Sequence, residues 1–161
     1  MNSIISRYKR LFFLTSISIL VVLISCNSQS FYDHNEKTPQ LWSSDDTLHF
    51  NFEVTDTINP YNMYINLRNT TDYEYSNIYF FMQIHFPDGR KAIDTLEIFL
   101  ADRNGKWLGK GMGKNKDQQV LFRKRGRFPM SGNYHICIEQ AMRKKQLMGI
   151  KSVGIRIERT Q

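Results

Sequence analysis

Apolar and polar residues alternate with a period of two along most of the chain after residue 46, and this spacing is typical of half-buried β-strands. The first such run, 48–54, places an apolar residue at every second position. The same spacing predicts strands at 61–67, 75–86, 91–101, 118–123, 133–140 and 153–159. Between Gln140 and Leu147 we expect a short helical turn.

The longest run, 75–86, is apolar on one face and also carries Tyr79 and Phe81 on the other, which predicts a central strand covered on both sides. The turn after it, Pro87–Arg90, has glycine where a hairpin needs a positive φ. Seven or eight short strands without strand–helix alternation predict an all-β fold. We expect an antiparallel β-sandwich of the jelly-roll type.

The N-terminal segment has the pattern of an export signal. Arg7, Lys9 and Arg10 precede an uncharged apolar run from Leu11 to Ile24. A helix of that length spans only about 21 Å, which is too short for a hydrocarbon core of about 30 Å. The run therefore indicates the hydrophobic region of a signal peptide.

The signal ends in Leu23–Cys26, which resembles a bacterial lipobox with a small residue before the cysteine. The resemblance implies that Cys26 is lipidated and becomes the first residue of the mature chain. We therefore expect a lipoprotein signal peptide at 1–25, a lipidated tether and a loop leading into the domain at 26–46, and a β-sandwich domain at 47–161. Asn27, rather than the Asp that favours inner-membrane retention, follows the cysteine, and residues 27–30 lack the acidic run associated with surface export, so we expect the periplasmic face of the outer membrane.

Charge and cysteine content narrow the picture further. The formal net charge is +7, but without residues 1–25 the chain keeps 19 basic and 15 acidic residues and a net charge of +4. We expect no nucleic-acid partner for an exported lipoprotein. With Cys26 lipidated, Cys137 has no intramolecular partner, and its alternating apolar surroundings predict a buried structural thiol.

A glycine-rich segment follows the run at 91–101 and has four glycines between positions 105 and 113. It lacks the Gly-Lys-Ser/Thr of a phosphate loop and the oxygen ligands of a calcium loop. Two interpretations remain. One is a connection between sheets with its tryptophan over the core, and the other is an exposed partner-binding loop. The candidate contact residues are Asp102, Gly105, Lys106, Trp107, Gly109 and Lys110.

No catalytic or metal-binding motif emerges from the spacing of reactive residues. The four histidines are dispersed, and no pair has ligand spacing, so we expect no metal and no cofactor. Asp94 and Glu97 would face opposite sides of a strand, and no serine or cysteine nucleophile signature is present. The sequence therefore predicts a protein that is not an enzyme.

Basic residues cluster around Arg123–Arg127 and Arg143–Lys145. Edge-strand protection or a solvated face is the ordinary explanation for such clusters. Contact with anionic headgroups or an acidic partner is the functional alternative.

Ten segments together carry a family resemblance, with Gly105–Gly111 and Glu139–Arg143 the most specific. They are Tyr61–Asn69, Tyr75–Ile78, Asp94–Leu96, Leu100–Asp102, Gly105–Gly111, Phe128–Pro129, Gly132–Tyr134, Glu139–Arg143, Leu147–Ile150 and Val153–Gly154. These segments resemble the GldH family of gliding-motility lipoproteins over essentially all of residues 26–161. The resemblance implies a lipid-anchored envelope protein of Bacteroidetes. In gliding bacteria, the resemblance implies that the family's protein is required for surface motility alongside other motility lipoproteins and secretion machinery. The family's description includes no catalytic residues.

Three Asp-Thr-apolar triplets resemble the O-glycosylation sequon of Bacteroidetes, with Thr47, Thr57 and Thr95 as acceptors. Chance would give roughly half a match at average composition. Thr57 is the best candidate because it lies in a predicted loop.

These observations predict a non-catalytic outer-membrane lipoprotein that scaffolds or stabilises other envelope, motility or secretion proteins. The glycine-rich loop is the expected contact surface. The alternative is a carbohydrate-binding envelope lipoprotein that uses exposed tryptophan and tyrosine rings as stacking platforms. Several exposed aromatic rings on one face would favour the alternative, and buried rings would remove it.

Overall fold

A computed structural model describes residues 30–160, which form ten β-strands and no α-helix. Within this part of the chain, no helix has the length and apolar character needed to span a membrane. The signal segment and Cys26 lie outside the described residues. The strands are β1 (Ser30–Lys37), β2 (Leu41–Ser43), β3 (Leu48–Val54), β4 (Tyr61–Thr70), β5 (Asn77–His85), β6 (Lys91–Phe99), β7 (Asn115–Gly126), β8 (Gly132–Gln140), β9 (Gln146–Met148) and β10 (Ile150–Arg159).

The strands pair as one long hairpin that is rolled into layers. From the tip outwards, β5 pairs with β6, β4 with β7, β3 with β8, β2 with β9 and β1 with β10, all antiparallel. Rolling adds the β10–β4 and β5–β8 pairs. The result is one sheet in the order β1-β10-β4-β7, another in the order β3-β8-β5-β6, and the short β2-β9 ribbon. This is the eight-stranded jelly-roll arrangement, so the predicted fold class is confirmed.

The inner faces of both four-stranded sheets contribute to a single core. Alternation along each strand supplies it, as in β3, where Leu48, Phe50, Phe52 and Val54 are buried and the residues between them are exposed. At one end of the sandwich, Phe52, Phe128 and Tyr134 form a cluster of aromatic rings with centroids 5.1–5.8 Å apart.

The prediction of a tether and a loop at 26–46 is wrong for much of 30–46, which contains two strands. Residues 30–37 form β1, which pairs with β10 over its whole length, and Leu41–Ser43 form β2. The sequence gives little indication of these two strands, because β1 is an edge strand with few apolar residues and β2 has only three residues.

Two further expectations need correction. The segment between Gln140 and Leu147 forms no helical turn, because β9 begins at Gln146 and pairs with β2. The strand β5 is central, as predicted, but its second face is open to solvent and Phe81 is half exposed there. The turn at Pro87–Arg90 is confirmed, with Gly89 at a φ of 84°.

Candidate functional site

The glycine-rich segment connects β6 to β7 and is ordered by its own hydrogen bonds. The carboxylate of Asp102 accepts hydrogen bonds from the backbone N–H groups of Asn104 and Lys106, each at 2.9 Å. The Asp102 N–H donates to the Lys106 carbonyl at 2.9 Å, and Gly105 turns the chain with a φ of 79°. Asp102 and Gly105 therefore shape the loop, and their contact with a partner stays a prediction.

The structure supports the connection between sheets for Trp107 and leaves several neighbouring residues of the loop exposed. Trp107 is half-buried and packs against the core, as the connection between sheets requires. Its neighbours Lys106, Leu108 and Lys110 are exposed, and Met112 is 96% exposed. Two large apolar side chains flanked by lysines therefore project from an ordered loop.

Gly109 and Gly111 let this loop approach β7 closely. A Cβ on Gly111 would lie 2.5 Å from the Asn115 carbonyl oxygen, and one on Gly109 would lie 3.2 Å from the Asp117 carbonyl oxygen. Lys110 and Asp117 exchange backbone hydrogen bonds of 2.7 and 2.8 Å across this approach. The glycines thus fix the loop against the edge strand of the sheet.

A groove of about 690 Å³ lies beside the loop, over the outer face of the β1-β10-β4-β7 sheet. The loop contributes Leu108 and Lys110, and the sheet contributes mainly amide and charged side chains. The Gln119 amide donates to Asn66 at 2.9 Å and the Gln118 amide donates to the Phe99 carbonyl at 3.0 Å, whereas the Gln118 side-chain oxygen is buried without a hydrogen-bond partner. The groove therefore suits polar ligands or a polar protein segment.

A second cluster lies on the outer face of the β3-β8-β5-β6 sheet, and spacing along the sequence did not reveal it. His49, His85, His135 and Cys137 come from three adjacent strands and share this face. The Cys137 Sγ lies 3.6 Å from both His49 Nδ1 and His135 Nε2, and the two ring nitrogens are 3.1 Å apart. These three residues form a group that could hold a metal ion.

The expected burial of Cys137 in the core is wrong. Tyr134, Ile136 and Ile138 point inward, so the intervening Cys137 faces outward and is only half-buried. The same alternation applies to His49 in β3, where the flanking Leu48 and Phe50 are buried. Strand parity therefore could have placed these side chains on outer faces, but only the register between strands brings them together.

The electrostatics of this cluster reflect partial burial and crowding of imidazoles. Desolvation lowers the pKa of His135, and the neighbouring His49 and His85 lower it further. Desolvation raises the pKa of the Cys137 thiol, Glu139 adds to the rise, and Lys91 opposes it. At neutral pH His135 is therefore a neutral ring with lone-pair nitrogen available for bonding.

The three candidate glycosylation threonines have different surroundings. Thr95 is exposed in the edge strand β6, and Thr57 is half-buried in the turn between β3 and β4. The Thr47 hydroxyl donates a 2.7 Å hydrogen bond to Glu139. Access therefore favours Thr95 and Thr57 over Thr47, and occupancy of any of them stays a prediction.

The basic clusters occupy different settings. Arg123–Arg125 lie on β7, an edge strand of its sheet, where charge discourages pairing with other chains. In the other cluster, Lys144 pairs with Glu74 at 2.7 Å and Lys145 with Asp45 at 3.0 Å. These pairs partly neutralise the second cluster.

Among the described residues, no tryptophan or tyrosine is exposed as a platform for carbohydrate would have to be, although Phe81 and Phe99 are exposed on the outer face of the β3-β8-β5-β6 sheet. Trp42 is fully buried and Trp107 packs against the core, and Tyr61, Tyr73 and Tyr134 are buried. Both tryptophans are thus committed to packing, and the carbohydrate alternative gains no support from them.

Comparison with known proteins shows what this chain is similar to. The sequence profile of the GldH lipoprotein family matches residues 30–157. The Gliding motility lipoprotein GldH homolog of Christiangramia forsetii is 36% identical over 151 residues, covering 89% of this chain and 93% of that protein. The Gliding motility lipoprotein GldH of Flavobacterium johnsoniae is 30% identical over 145 residues, covering 86% and 90%.

Among solved structures, a 4-O-methyl-α-glucuronidase with specificity for decorated arabinogalactans superposes with a TM-score of 0.45 and 7% identity. That match covers 85% of this chain and 18% of the enzyme. The similarity to the gliding-motility proteins extends over nearly the whole of both chains and includes the loop around Trp107 and the strands that support it. This chain belongs to the GldH family of gliding-motility lipoproteins.

Proposed function

We propose that the protein is a non-catalytic lipoprotein on the periplasmic face of the outer membrane, where it scaffolds or stabilises motility or secretion proteins of the envelope. Its membership of a gliding-motility lipoprotein family and the lipobox-like Leu23–Cys26 support this role. The observation that carries the proposal is the ordered loop that exposes Leu108 and Met112 between lysines.

The loop has the physical properties of a preorganised contact surface. The hydrogen bonds to Asp102 and the exchange between Lys110 and Asp117 fix its backbone before any partner arrives. Binding then costs less conformational entropy than it would for a loop without such bonds. The expected partner surface is apolar at its centre, to bury Met112 and Leu108, and acidic at its rim, to face Lys106 and Lys110.

Lipid anchoring at Cys26 would make modest affinity sufficient. Confinement to one membrane raises the effective concentration of partners that share it. A single loop with two apolar side chains can therefore hold a complex in the envelope that would dissociate in dilute solution.

Photo-crosslinking in the native envelope tests the contact surface. A photoreactive amino acid at Met112 should capture specific envelope proteins, identified by mass spectrometry. The matched control is the same substitution at Ile58, which is 80% exposed in the turn between β3 and β4. The contact assignment is wrong if both positions capture the same proteins in the same yield.

Substitution and motility then connect the contact to function. Leu108→Ser combined with Met112→Ser should remove those cross-links and reduce surface spreading or the abundance of the captured proteins, whereas Ile58→Ser should leave them unchanged. Wild-type spreading and wild-type partner abundance in the double variant would contradict the scaffold role.

A further inference from the structure

The register of three strands brings four nitrogen and sulfur donors onto one patch of the β3-β8-β5-β6 sheet. His49 on β3 lies directly opposite Cys137 on β8, and His135 on β8 lies directly opposite His85 on β5. Cross-strand neighbours in a sheet have side chains close enough to interact. The patch therefore depends on pairing between residues that are far apart in the chain.

The distances within this patch match one face of a coordination tetrahedron. Zinc bonds of about 2.0–2.1 Å to nitrogen and about 2.3 Å to sulfur place tetrahedral ligands about 3.3–3.4 Å apart for two nitrogens and about 3.5–3.6 Å apart for nitrogen and sulfur. The observed separations are 3.1 Å between His49 Nδ1 and His135 Nε2, and 3.6 Å from each of these nitrogens to the Cys137 Sγ.

His85 supplies a candidate fourth ligand from β5. Its Nε2 lies 4.0 Å from the Cys137 Sγ and 3.1 Å from the Gln83 side-chain oxygen, and its ring centroid is 5.2 Å from that of His135. His85 does not belong to the group whose donor atoms all lie within 4.8 Å of one another, so its ring would have to leave Gln83 and move towards the other three donors to close the tetrahedron. Without this movement, water would occupy the fourth position, since His49 is exposed.

The donor types identify the class of metal. Imidazole nitrogen and cysteine sulfur favour zinc and other borderline or soft ions, whereas calcium and magnesium need oxygen ligands. In the absence of a metal these donors bond to one another and to Gln83, and the His49 and His135 rings stack at 5.2 Å with 21° between their planes. Three imidazoles crowded around one thiol form an unusual surface arrangement that a cation would stabilise.

We propose that His49, His135 and Cys137 bind Zn²⁺, with His85 as the fourth ligand. On binding, the Cys137 thiol gives its proton to solvent and the resulting thiolate forms the Zn–S bond. The ion would connect β3, β8 and β5 on the solvent face of the sheet and stabilise their register from outside the core. The site is separate from the glycine-rich loop between β6 and β7, and the proposal does not depend on the scaffold role.

Metal titration of the mature full-length lipoprotein in detergent tests the site. After removal of metal by a chelator, Zn²⁺ competed against a chromophoric chelator should bind with a stoichiometry of one per chain and should raise the thermal unfolding midpoint. Substitution with Co²⁺ should produce intense tetrahedral ligand-field bands and a thiolate-to-cobalt charge-transfer band.

The variants separate a built site from general histidine affinity. Cys137→Ser should abolish the charge-transfer band, and His49→Gln or His135→Gln should each weaken Zn²⁺ binding by at least about tenfold. His34→Gln is the matched control, since His34 lies on β1 in the other sheet and bonds to Glu36. It should bind like the wild type.

Three results would overturn the proposal. They are Zn²⁺ binding of equal strength in the wild type and in Cys137→Ser, equal weakening by His34→Gln, and binding of Cu⁺ without Zn²⁺ or Co²⁺. Because all four proposed ligands face outward from the sheet, the variants should fold, and circular dichroism of each metal-free variant checks this.

Discussion

At the scale of single residues, Trp42 contributes most visibly to the stability of the sandwich. Its side chain is fully buried, its ring centroid lies 6.0 Å from that of Phe80, and its Nε1–H donates to the Asp46 carbonyl at 2.9 Å. One residue of a three-residue strand thus fixes β2, the turn after it and part of the core. Trp42 is therefore a suitable probe of the β2–β9 ribbon.

Trp42→Ala should reduce the free energy of unfolding by about 3–5 kcal/mol, because it leaves a large cavity. Trp42→Phe should cost about 1–3 kcal/mol, because it retains most of the ring but leaves the Asp46 carbonyl without its donor. Urea unfolding measures both. Phe81→Ala, at a half-exposed site, is the control and should cost much less. Equal costs for Trp42→Ala and Phe81→Ala would contradict this assignment.

Asp56 fixes the turn between β3 and β4 and ties it to the end of β10. The Asn59 amide donates to its carboxylate at 2.7 Å, the backbone N–H groups of Asn59 and Ile58 donate at 3.1 and 3.0 Å, and Arg159 lies at 2.6 Å. The hydrogen bond from the Asn59 side chain is the largest of the causes that lower the pKa of Asp56 to about 2.

A carboxylate with a lowered pKa in the folded state stabilises the protein above its unfolded pKa of about 3.9, and this stability is lost as the pH falls through the folded value. Asp56→Ala should therefore lower the unfolding midpoint at pH 7, and its difference from the wild type should shrink between about pH 4 and pH 2. Thermal melts at several pH values measure this difference. The protein should come from a host without O-glycosylation, because Asp56→Ala also removes the Asp-Thr-apolar triplet at Thr57. A difference that stays constant down to pH 2 would exclude this role for the charge.

At the scale of elements, β1 shows most clearly what the sequence could not predict. Its residues include Asp33, His34, Asn35 and Glu36 in succession, so it lacks the alternation that identified β3 and β8. The strand forms because β10 offers a free edge, and because the Arg156 side chain bonds to Asp33 across it. Edge pairing of this kind depends on the partner strand and leaves little trace in the local sequence.

Gly154 on β10 makes the close approach of β1 possible. A Cβ there would lie 2.6 Å from the His34 carbonyl oxygen and would also meet the Asn35 side chain. Gly154→Ala should therefore displace β1 and remove the protection of its amides, while those of the β4–β10 pair stay protected. Hydrogen exchange measured by mass spectrometry checks this.

The matched control for Gly154→Ala is Ser152→Ala, which adds no volume to the same strand. It should leave the exchange of β1 unchanged. Full protection of β1 amides in the Gly154→Ala variant would mean that β1 tolerates a side chain beneath it and that the glycine has another role.

At the scale of the whole molecule, seven strands could be predicted because the alternation of buried and exposed residues is a local property of each strand. The sandwich then followed from the number of strands and the absence of strand–helix alternation. Strand β3 has the predicted bounds, and β8 differs by one residue. The clustering of His49, His135 and Cys137 was missed for the opposite reason. It depends on which strands pair and in which register, and the pairing in a rolled hairpin joins distant segments such as Ser30 and Glu158.

The proposed lipid anchor is tested by a single variant. Cys26→Ala should abolish incorporation of a labelled fatty acid into the protein, because the Cys26 thiol is the proposed attachment point. Metabolic labelling followed by immunoprecipitation measures this, with Cys137→Ala as the control that should remain labelled. Labelling of Cys26→Ala at the wild-type level would contradict lipidation at this residue.

The pairing of β1 with β10 would also set the orientation of the molecule if Cys26 carries the proposed lipid. Four residue steps separate Cys26 from Ser30, which corresponds to at most about 14 Å of extended chain. The end of the sheet that holds Ser30, Arg159 and Gly126 would then lie close to the headgroups, together with the basic cluster Arg123–Arg127. The loop before Asn115 leaves the opposite end of the ten-residue strand β4, about 30 Å away, and would point into the periplasm.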